Sequence, residues 1–595
     1  MSVVTQIKEA TVRAANHLYG IELQPDTILV NETKPEFEGD YTVVLFAFAK
    51  QLKKSPDALG QELGDCIVTL NASLFTTFNV IKGFLNLTIS DSYWLQFVQS
   101  ECQNPEFGRA HTNGQKVMVE YSSPNTNKPL HLGHLRNNFL GRSIAEILKA
   151  TGNEVVKTCI VNDRGIHICK SMIAWQIFAN GANPKSTHTK GDHFVGDYYV
   201  KFNDAYKKEI AVLKAQDKTQ EEAEKEAPIM KAAQQMLFDW EAGKPDVMEL
   251  WRNMNSWVYE GFDATYKRIG SDFDKVYYES NTYLLGKDLV DTGLAKAVFF
   301  KKEDGSVWID LTADGLDEKI VRRKDGTSVY ITQDIGLAEQ KQKEFNAGQS
   351  IYVVGDEQNY HFKVLKLICQ KLGLPSADGI YHLSYGMVEL PTGKMKSREG
   401  TVVDADDLIE EMVNMARQKT EELGKVKDFT TEELTELYDI IGIGALQFFL
   451  LRVDPKKKMV FNPEESIDFH GFTGPFIQYT HARIKSILRK SGVTQQPETG
   501  NRKPETLLPL EKELSIHLEM FPSVLEEAAA GHDPSKVAIY VYNLAKTFNS
   551  FYTEHSISNA ENEEKKILRL QLSRLTAQVI KTGMNILGIR VPERM

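Results

Sequence analysis

The chain has 595 residues and carries 70 Lys and Arg against 81 Asp and Glu, a formal net charge of −11. That balance excludes nucleic-acid binding over the whole surface, but not a local basic groove, because phosphate fields act over a Debye length of about 10 Å. Apolar and charged fractions are those of a globular protein with about four domains, or fewer large ones. The five cysteines (66, 102, 159, 169 and 369) have no CxxC spacing, which excludes a disulfide framework or cysteine zinc site and points to a reducing, cytoplasmic compartment.

In chain order, Val4, Ile7, Ala10, Ala14 and Leu18 form a helical stripe where a signal peptide would carry an apolar run. No apolar run approaches the roughly 20 residues needed to cross a bilayer, so no membrane is expected. Residues 1–110 read as a small α/β domain. In it, 40–49 is a strand or a buried helix start, 55–63 is a helix with Pro56 at its first position, and 78–89 is a strand pair turning at Lys82-Gly83. Residues 103–115, with Pro105, Gly108 and Gly114, read as a linker.

Residues 111–465 alternate strand and helix. Strands are predicted at 117–121, 154–161, 328–332, 350–354 and 380–389, which implies a Rossmann-like parallel sheet covered on both faces. A charge-rich helical insertion interrupts the series at about 185–265, with Trp240, Trp251 and Trp257 on its apolar side and the run 218–226 as a solvated face. Short β-ribbons are expected within 296–320. Connecting helices follow at 404–418 and 431–451. From 466 to 595 the pattern is an all-α bundle broken by a loop at 495–509.

Chemistry concentrates at the first strand-to-helix turn, Pro124-Asn-Thr-Asn-Lys-Pro-Leu-His131-Leu-Gly133-His134. A zinc site would need a third ligand and an acid nearby, which the motif lacks. Two imidazoles at a helix N-terminus suit stabilisation of a phosphate, with Gly133 leaving room for a nucleotide. A second basic loop, Gly393-Lys394-Met395-Lys396-Ser397-Arg398, follows the last predicted strand and suits clamping of a polyphosphate leaving group.

This pair of motifs resembles the class I aminoacyl-tRNA synthetases. The wording Val119-Glu-Tyr-Ser-Ser-Pro-Asn125, Lys128-Pro-Leu-His-Leu-Gly-His-Leu-Arg136, Tyr330-Ile-Thr-Gln-Asp334 and Gly474-Pro-Phe-Ile-Gln-Tyr-Thr-His481 is similar to the arginyl-tRNA synthetase family. The resemblance covers essentially the whole chain. It implies that ATP, with Mg²⁺, activates L-arginine as arginyl-adenylate, which is then transferred to the 3′-terminal ribose of its tRNA. It implies catalytic roles for His131, His134, Lys128, Lys394 and Arg398. ATP contacts would come from these histidines, Gly133, Lys128, Met387, Lys394 and Met395. The arginine site would be Glu120, Asn125, Tyr330, Asp334 and Gln358, where carboxylates suit the planar guanidinium fork.

One departure stands out. Ser397 occupies the place of the second lysine of the usual K-M-S-K-S loop, and Lys128 is the residue thought to substitute in this family. The resemblance assigns the C-terminal bundle to the anticodon, with Phe476, Tyr479, Arg483 and Lys485 as contacts and His481 among the interleaved aromatics. It assigns the N-terminal domain to the D-loop corner of the tRNA. It also implies a monomer, no structural metal, and activation that waits for bound tRNA.

Overall fold

The computed structural model describes residues 2–595 except 35, 376, 390, 392–402, 423, 425–427 and 492–505. The N-terminal segment folds around four antiparallel strands in the order Val30–Glu32, Tyr41–Val44, Phe84–Ile89, Phe75–Ile81. Ser2 caps the first helix, Val3–Tyr19, by accepting from the Thr5 amide, and the helix buries Ile7, Ala10 and Ala14 against the sheet side. The expected hairpin turns at Lys82 and Gly83, both at positive φ. Residues 40–49 hold both alternatives read from sequence, a strand to Val44 and then a helix from Phe46.

Five parallel strands form the central sheet: β1 (Lys116–Glu120), β2 (Glu154–Val161), β3 (Lys275–Tyr278), β4 (Gln349–Gly355) and β5 (Ile380–Tyr385). Their order is β5-β4-β1-β2-β3, and all four pairings are parallel. The order reverses between β1 and β4, so the loops leaving these two strands diverge and open a crevice at the carboxyl edge. Both faces are covered, which is why β1 reads as an unbroken apolar run. Val117, Val119, Ile351 and Val353 face one core, and Met118 and Tyr352 face another.

Helix α1 (Leu132–Ala150) covers the first face. The insertion folds as expected into helices that include α2 (Gly191–Lys214) and α3 (Pro245–Ile269). Its charged run is a short helix, Gln220–Glu226, in which only Ala223 is buried. Helices α4 (Tyr330–Phe345) and α5 (Asn359–Leu372) cover the second face through Ile331, Ile335, Val364 and Ile368. Between them and the insertion lies the expected antiparallel ribbon, 300–301, 307–309 and 319–322.

Three expectations are corrected. The strand predicted at 328–332 is the start of α4. Its alternating, β-branched letters resemble a strand over five residues, but Ile331, Ile335 and Ala338 are buried at helical spacing. Strand β3 was not foreseen, because it is a four-residue edge strand among Asp272, Asp274 and Lys275. The strand predicted at 380–389 breaks after Tyr385, and Val388–Glu389 pairs separately with Met459–Val460. Gly386 sits at the break, where a Cβ would lie 2.6 Å from the carbonyl carbon of Lys457.

After α6 (Ala405–Glu422) comes helix α7 (Thr431–Leu451), which is long and apolar enough by composition to cross a membrane although its first nine residues are mostly polar. Its apolar residues serve a different purpose. Ile441, Ala445, Leu446 and Phe448 are buried in a core shared by the sheet and the C-terminal helices. The last region is all helix: α8 (Gly474–Lys490), then 509–519, 521–531, 534–554 and 563–586. Most of the expected loop at 495–509 lies outside the described residues.

Helix α4 packs against residues 285–286 through a close backbone contact. A Cβ on Gly336 would lie 2.2 Å from the Gly286 amide nitrogen and 2.6 Å from the Leu285 carbonyl carbon, and backbone cannot rotate away as a side chain can. Gly336→Ala is expected to destabilise the protein by about 3 kcal/mol, the upper part of the overpacking range, seen as a lower denaturant midpoint. An unchanged midpoint would refute this packing.

Candidate active site

The site is built on an unusual turn. Ser122 (φ 82°) and Ser123 (φ 46°) follow β1 in the left-handed region, at a cost of about 1–3 kcal/mol each for non-glycine residues. Hydrogen bonds hold them there. The Ser122 amide donates to Asn137 Oδ1 at 2.6 Å, its hydroxyl lies 2.7 Å from the Tyr266 hydroxyl, and Asn138 Nδ2 donates to its Oγ at 3.1 Å. The chain then runs beside the end of β2. The Asn162 amide donates to the Pro124 carbonyl, and the Thr126 amide to the Asn162 carbonyl, leaving Asn125 exposed at the crevice.

His131 is the N-cap of α1, and its Nδ1 accepts from the Gly133 amide at 3.1 Å. His134 Nδ1 accepts from the His131 amide at 3.2 Å, and the two rings lie 3.9 Å apart. A ring nitrogen that accepts carries no proton, so each neutral ring keeps its hydrogen on Nε2 as a donor. Burial, with the nearby Lys128 charge, pushes His131 down to about 4 and His134 well below the usual imidazole range. At neutral pH both histidines therefore act as hydrogen-bond donors and not as cations.

Lys128 supplies the positive charge. Burial lowers its pKa, and it forms no ion pair among the described residues. Gly133 leaves room for the His131 ring, since a Cβ would sit 3.0 Å from the ring's Cε1 and the ring would have to shift.

The acidic side differs from the sequence expectation. Glu120 is buried at the end of β1, and its Oε2 takes both an ion pair with Lys341 of α4 and the Thr158 hydroxyl at 3.2 Å. It is not a free carboxylate. Tyr330 and Asp334 do not end a strand but lie on the first turns of α4. Four residues span about 6 Å along a helix against about 13 Å along a strand, so the correction brings the two within reach of one ligand group. Tyr330 is 74% exposed, and Asp334 Oδ2 accepts from His361 Nε2 of α5 at 2.7 Å.

Glu279, just after β3, was missed from sequence. Burial and the charges of Asp163 and Asp334 raise its carboxyl to about 7, against the lowering effect of Arg164. Gln358 is exposed in the short turn after β4.

Met387 is half-buried beside the crevice, and its carbonyl accepts from the Met459 amide at 3.2 Å. Lys394, Met395 and Arg398 lie outside the described residues.

A second candidate surface lies on α8. Tyr479, Arg483 and Lys490 line a groove of about 890 Å³ with Tyr552 and Met595, and the Arg483 guanidinium stacks 4.9 Å from the Tyr479 ring. The other aromatics and cations of this helix are turned elsewhere. Phe476 packs on Tyr542, and Lys485 pairs with Glu593 at 3.0 Å. His481, expected among the stacking aromatics, is buried with Nδ1 3.0 Å from the Pro592 carbonyl.

The sheet order and the HxGH turn at its switch point are those of class I aminoacyl-tRNA synthetases, and the family described as tRNA synthetases class I (R), catalytic domain, matches residues 98–462. The DALR anticodon binding domain family matches 477–595, and the arginyl tRNA synthetase N terminal domain family matches 3–89. The arginine–tRNA ligases of Flavobacterium psychrophilum and Bacteroides thetaiotaomicron are 54% and 51% identical, covering 99% and 100% of this chain and of their own lengths. The solved arginyl-tRNA synthetase of Thermus thermophilus is 26% identical, with a TM-score of 0.81 over 100% of both chains. A methionyl-tRNA synthetase of Mycobacterium tuberculosis shares the fold at a TM-score of 0.51 and 11% identity, covering 79% of this chain and 90% of its own.

The chain belongs to the arginyl-tRNA synthetase family, whose members join L-arginine to its tRNA through an aminoacyl-adenylate.

The hydrogen bonds at His131 and His134 are directly testable. Histidine NMR is expected to show both rings neutral and protonated on Nε2 down to about pH 5. A titration midpoint near 6.5, or the opposite tautomer, would contradict this.

Proposed function

We propose that arginine and ATP meet in the crevice between β1 and β4, with the guanidinium at the acidic end of α4 and the phosphates at the HxGH turn. The observation that carries this reading is the separation of charge. Asp334 and the raised carboxyl of Glu279 lie on one side, and two neutral Nε2 donors with the Lys128 ammonium lie on the other.

In this reading Tyr330 packs along the arginine side chain, and Glu120 offers the Oε1 left over from its pairing with Lys341. Asn125 and Gln358 take the α-amino and carboxylate end. One arginine carboxylate oxygen attacks the α-phosphorus of ATP, and the bond to pyrophosphate breaks. His131 and His134 donate to phosphate oxygens as charge develops, and Lys128 neutralises it from the same wall. Lys394, Arg398 and Met395 act from the downstream loop, Met387 and Gly133 border the adenosine, and Mg²⁺ enters with ATP. The tRNA ribose hydroxyl then attacks the carbonyl of the adenylate and AMP leaves. On α8, Tyr479 and Arg483 contact the anticodon loop, with Phe476 and Lys485 holding the helix that presents them. The protein acts as a cytoplasmic monomer and requires bound tRNA for activation.

The decisive experiment is ATP–pyrophosphate exchange with each amino acid in the presence of tRNA. Arginine alone should support exchange, and Asp334→Ala should raise the KM for arginine about 100-fold, as truncating a charged hydrogen-bonding partner does. Equal exchange with lysine would refute the assignment of the acidic side.

Glu279 adds a pH dependence with a defined sign. Its carboxyl is protonated below about 7, and a cation binds better to the ionised form. The KM for arginine should therefore rise as pH falls from 7 to 6, and Glu279→Gln should flatten that profile. A profile identical in both proteins would remove Glu279 from the pocket.

A further inference from the structure

The helical insertion meets the segment beside the signature turn through a half-buried ion cluster. Lys190, the N-cap of α2, places its ammonium 2.6 Å from Asp406 Oδ2, 3.1 Å from Asp192 Oδ2 and 2.6 Å from the Thr265 hydroxyl of α3. Thr265 in turn donates to Asp406 Oδ1 at 3.0 Å. His193 Nε2 lies 3.1 Å from Asp406 Oδ2 and 3.3 Å from Asp404 Oδ2. Asp192, His193 and Asp406 have the spacing of a metal site, with ligand atoms within 4.8 Å of one another. The ammonium of Lys190 already lies among the same oxygens and offsets part of their charge from within the chain.

What the cluster holds is close to the chemistry. Asp404 Oδ1 caps α6 by accepting from the Asp406 and Asp407 amides at 2.8 and 3.1 Å. The backbone of the same residue pairs antiparallel with His131. On either side, the Leu132 amide donates to the Val403 carbonyl at 3.2 Å and the Ala405 amide to the Leu130 carbonyl at 3.0 Å. Gly196 lets the insertion come this near to the turn, and Gly191 and Gly261 let its own helices α2 and α3 close on each other. A Cβ on Gly196 of α2 would lie 2.8 Å from Pro129 Cδ, one on Gly191 1.9 Å from the Trp257 carbonyl oxygen, and one on Gly261 2.3 Å from Asp192 Oδ1.

We propose that Lys190 and His193 are positioning residues for adenylate formation, which fix segment 403–405 against 130–132 through Asp404 and Asp406 and so set the orientation of the His131 ring. The insertion is then part of the catalytic framework and not only a peripheral bundle. Among the described residues the one hydrogen bond to the His131 ring comes from the Gly133 amide, with the His134 ring packed beside it, so the pose of its Nε2 donor follows the pose of this backbone. A displacement near 1 Å at such a site costs about 100-fold in rate without removing any group that touches substrate.

The test is ATP–pyrophosphate exchange on the full chain with tRNA present, for two pairs of variants. Lys190→Met is expected to lower kcat by about 10- to 100-fold while the KM for arginine stays within about twofold, and Lys190→Arg to restore most of the loss. His193→Ala should show the same split in weaker form, and His193→Gln, which keeps a donor toward Asp406, should recover it. Exchange at the unaltered kcat in folded Lys190→Met would overturn the proposal, as would a parallel loss of arginine binding or a failure of either conservative variant to rescue. Removing Lys190 leaves Asp192 buried with its counter-charge gone, so that variant has the larger effect on folding. Should it not fold, the His193 pair decides on the same criteria.

Discussion

The side chain of Asn137 joins the two halves of the sheet where they part. Its Oδ1 accepts from the Ser122 amide, while its Nδ2 donates to the Val353 carbonyl at 2.7 Å and lies 3.1 Å from the Tyr385 hydroxyl. One amide thus connects the turn after β1, the middle of β4 and the end of β5. Together with the Tyr266 and Asn138 bonds to the Ser122 hydroxyl, it offsets the cost of two consecutive non-glycine residues at positive φ at the point where the chain must swing from sheet to helix. Everything that follows in the turn, from Asn125 to His134, takes its position from this bend, and so does the width of the crevice into which the loops of β4 open.

Two electrical regimes meet across that crevice, and each is produced by burial. On the HxGH side, desolvation strips the imidazoles of charge and leaves directional donors whose pose is set before any ligand binds. Toward α4, desolvation acts on carboxyls and raises Glu279, while Glu120 is neutralised by Lys341. The excess of acidic residues in the chain as a whole says nothing about either regime. Local pairing decides them.

The sequence was most legible where contacts are local. The β1–turn–α1 unit, the Lys82-Gly83 hairpin, the insertion helices and the C-terminal helices all carry their own periodicity, turn residues or caps. The parallel sheet followed from alternation alone. Tyr330–Asp334 misled because five residues cannot distinguish a strand from a helix start, and the deciding contact, Gly336 against Gly286, lies 50 residues away. Lys341, His361, Asn137 and Glu279 were missed for a related reason. The first three acquire their roles from partners at 120, 334 and 122, and Glu279 from burial that only the fold supplies, so the neighbouring sequence does not mark them. The candidate residues themselves were readable because their motifs resemble a known family. Their protonation and pairing were not, since those depend on what the fold buries beside them.

The raised carboxyl of Glu279 has a consequence for fidelity. Citrulline has the length and planarity of arginine but carries an oxygen in place of one nitrogen and has no charge. In the proposed pocket an ionised Glu279 would face that oxygen with nothing to donate, and a buried acceptor left unpaired rejects the analogue strongly. Once protonated, the same carboxyl becomes a donor and can satisfy it. Discrimination against a neutral isostere would then depend on the ionisation of this one buried carboxyl as well as on pocket shape.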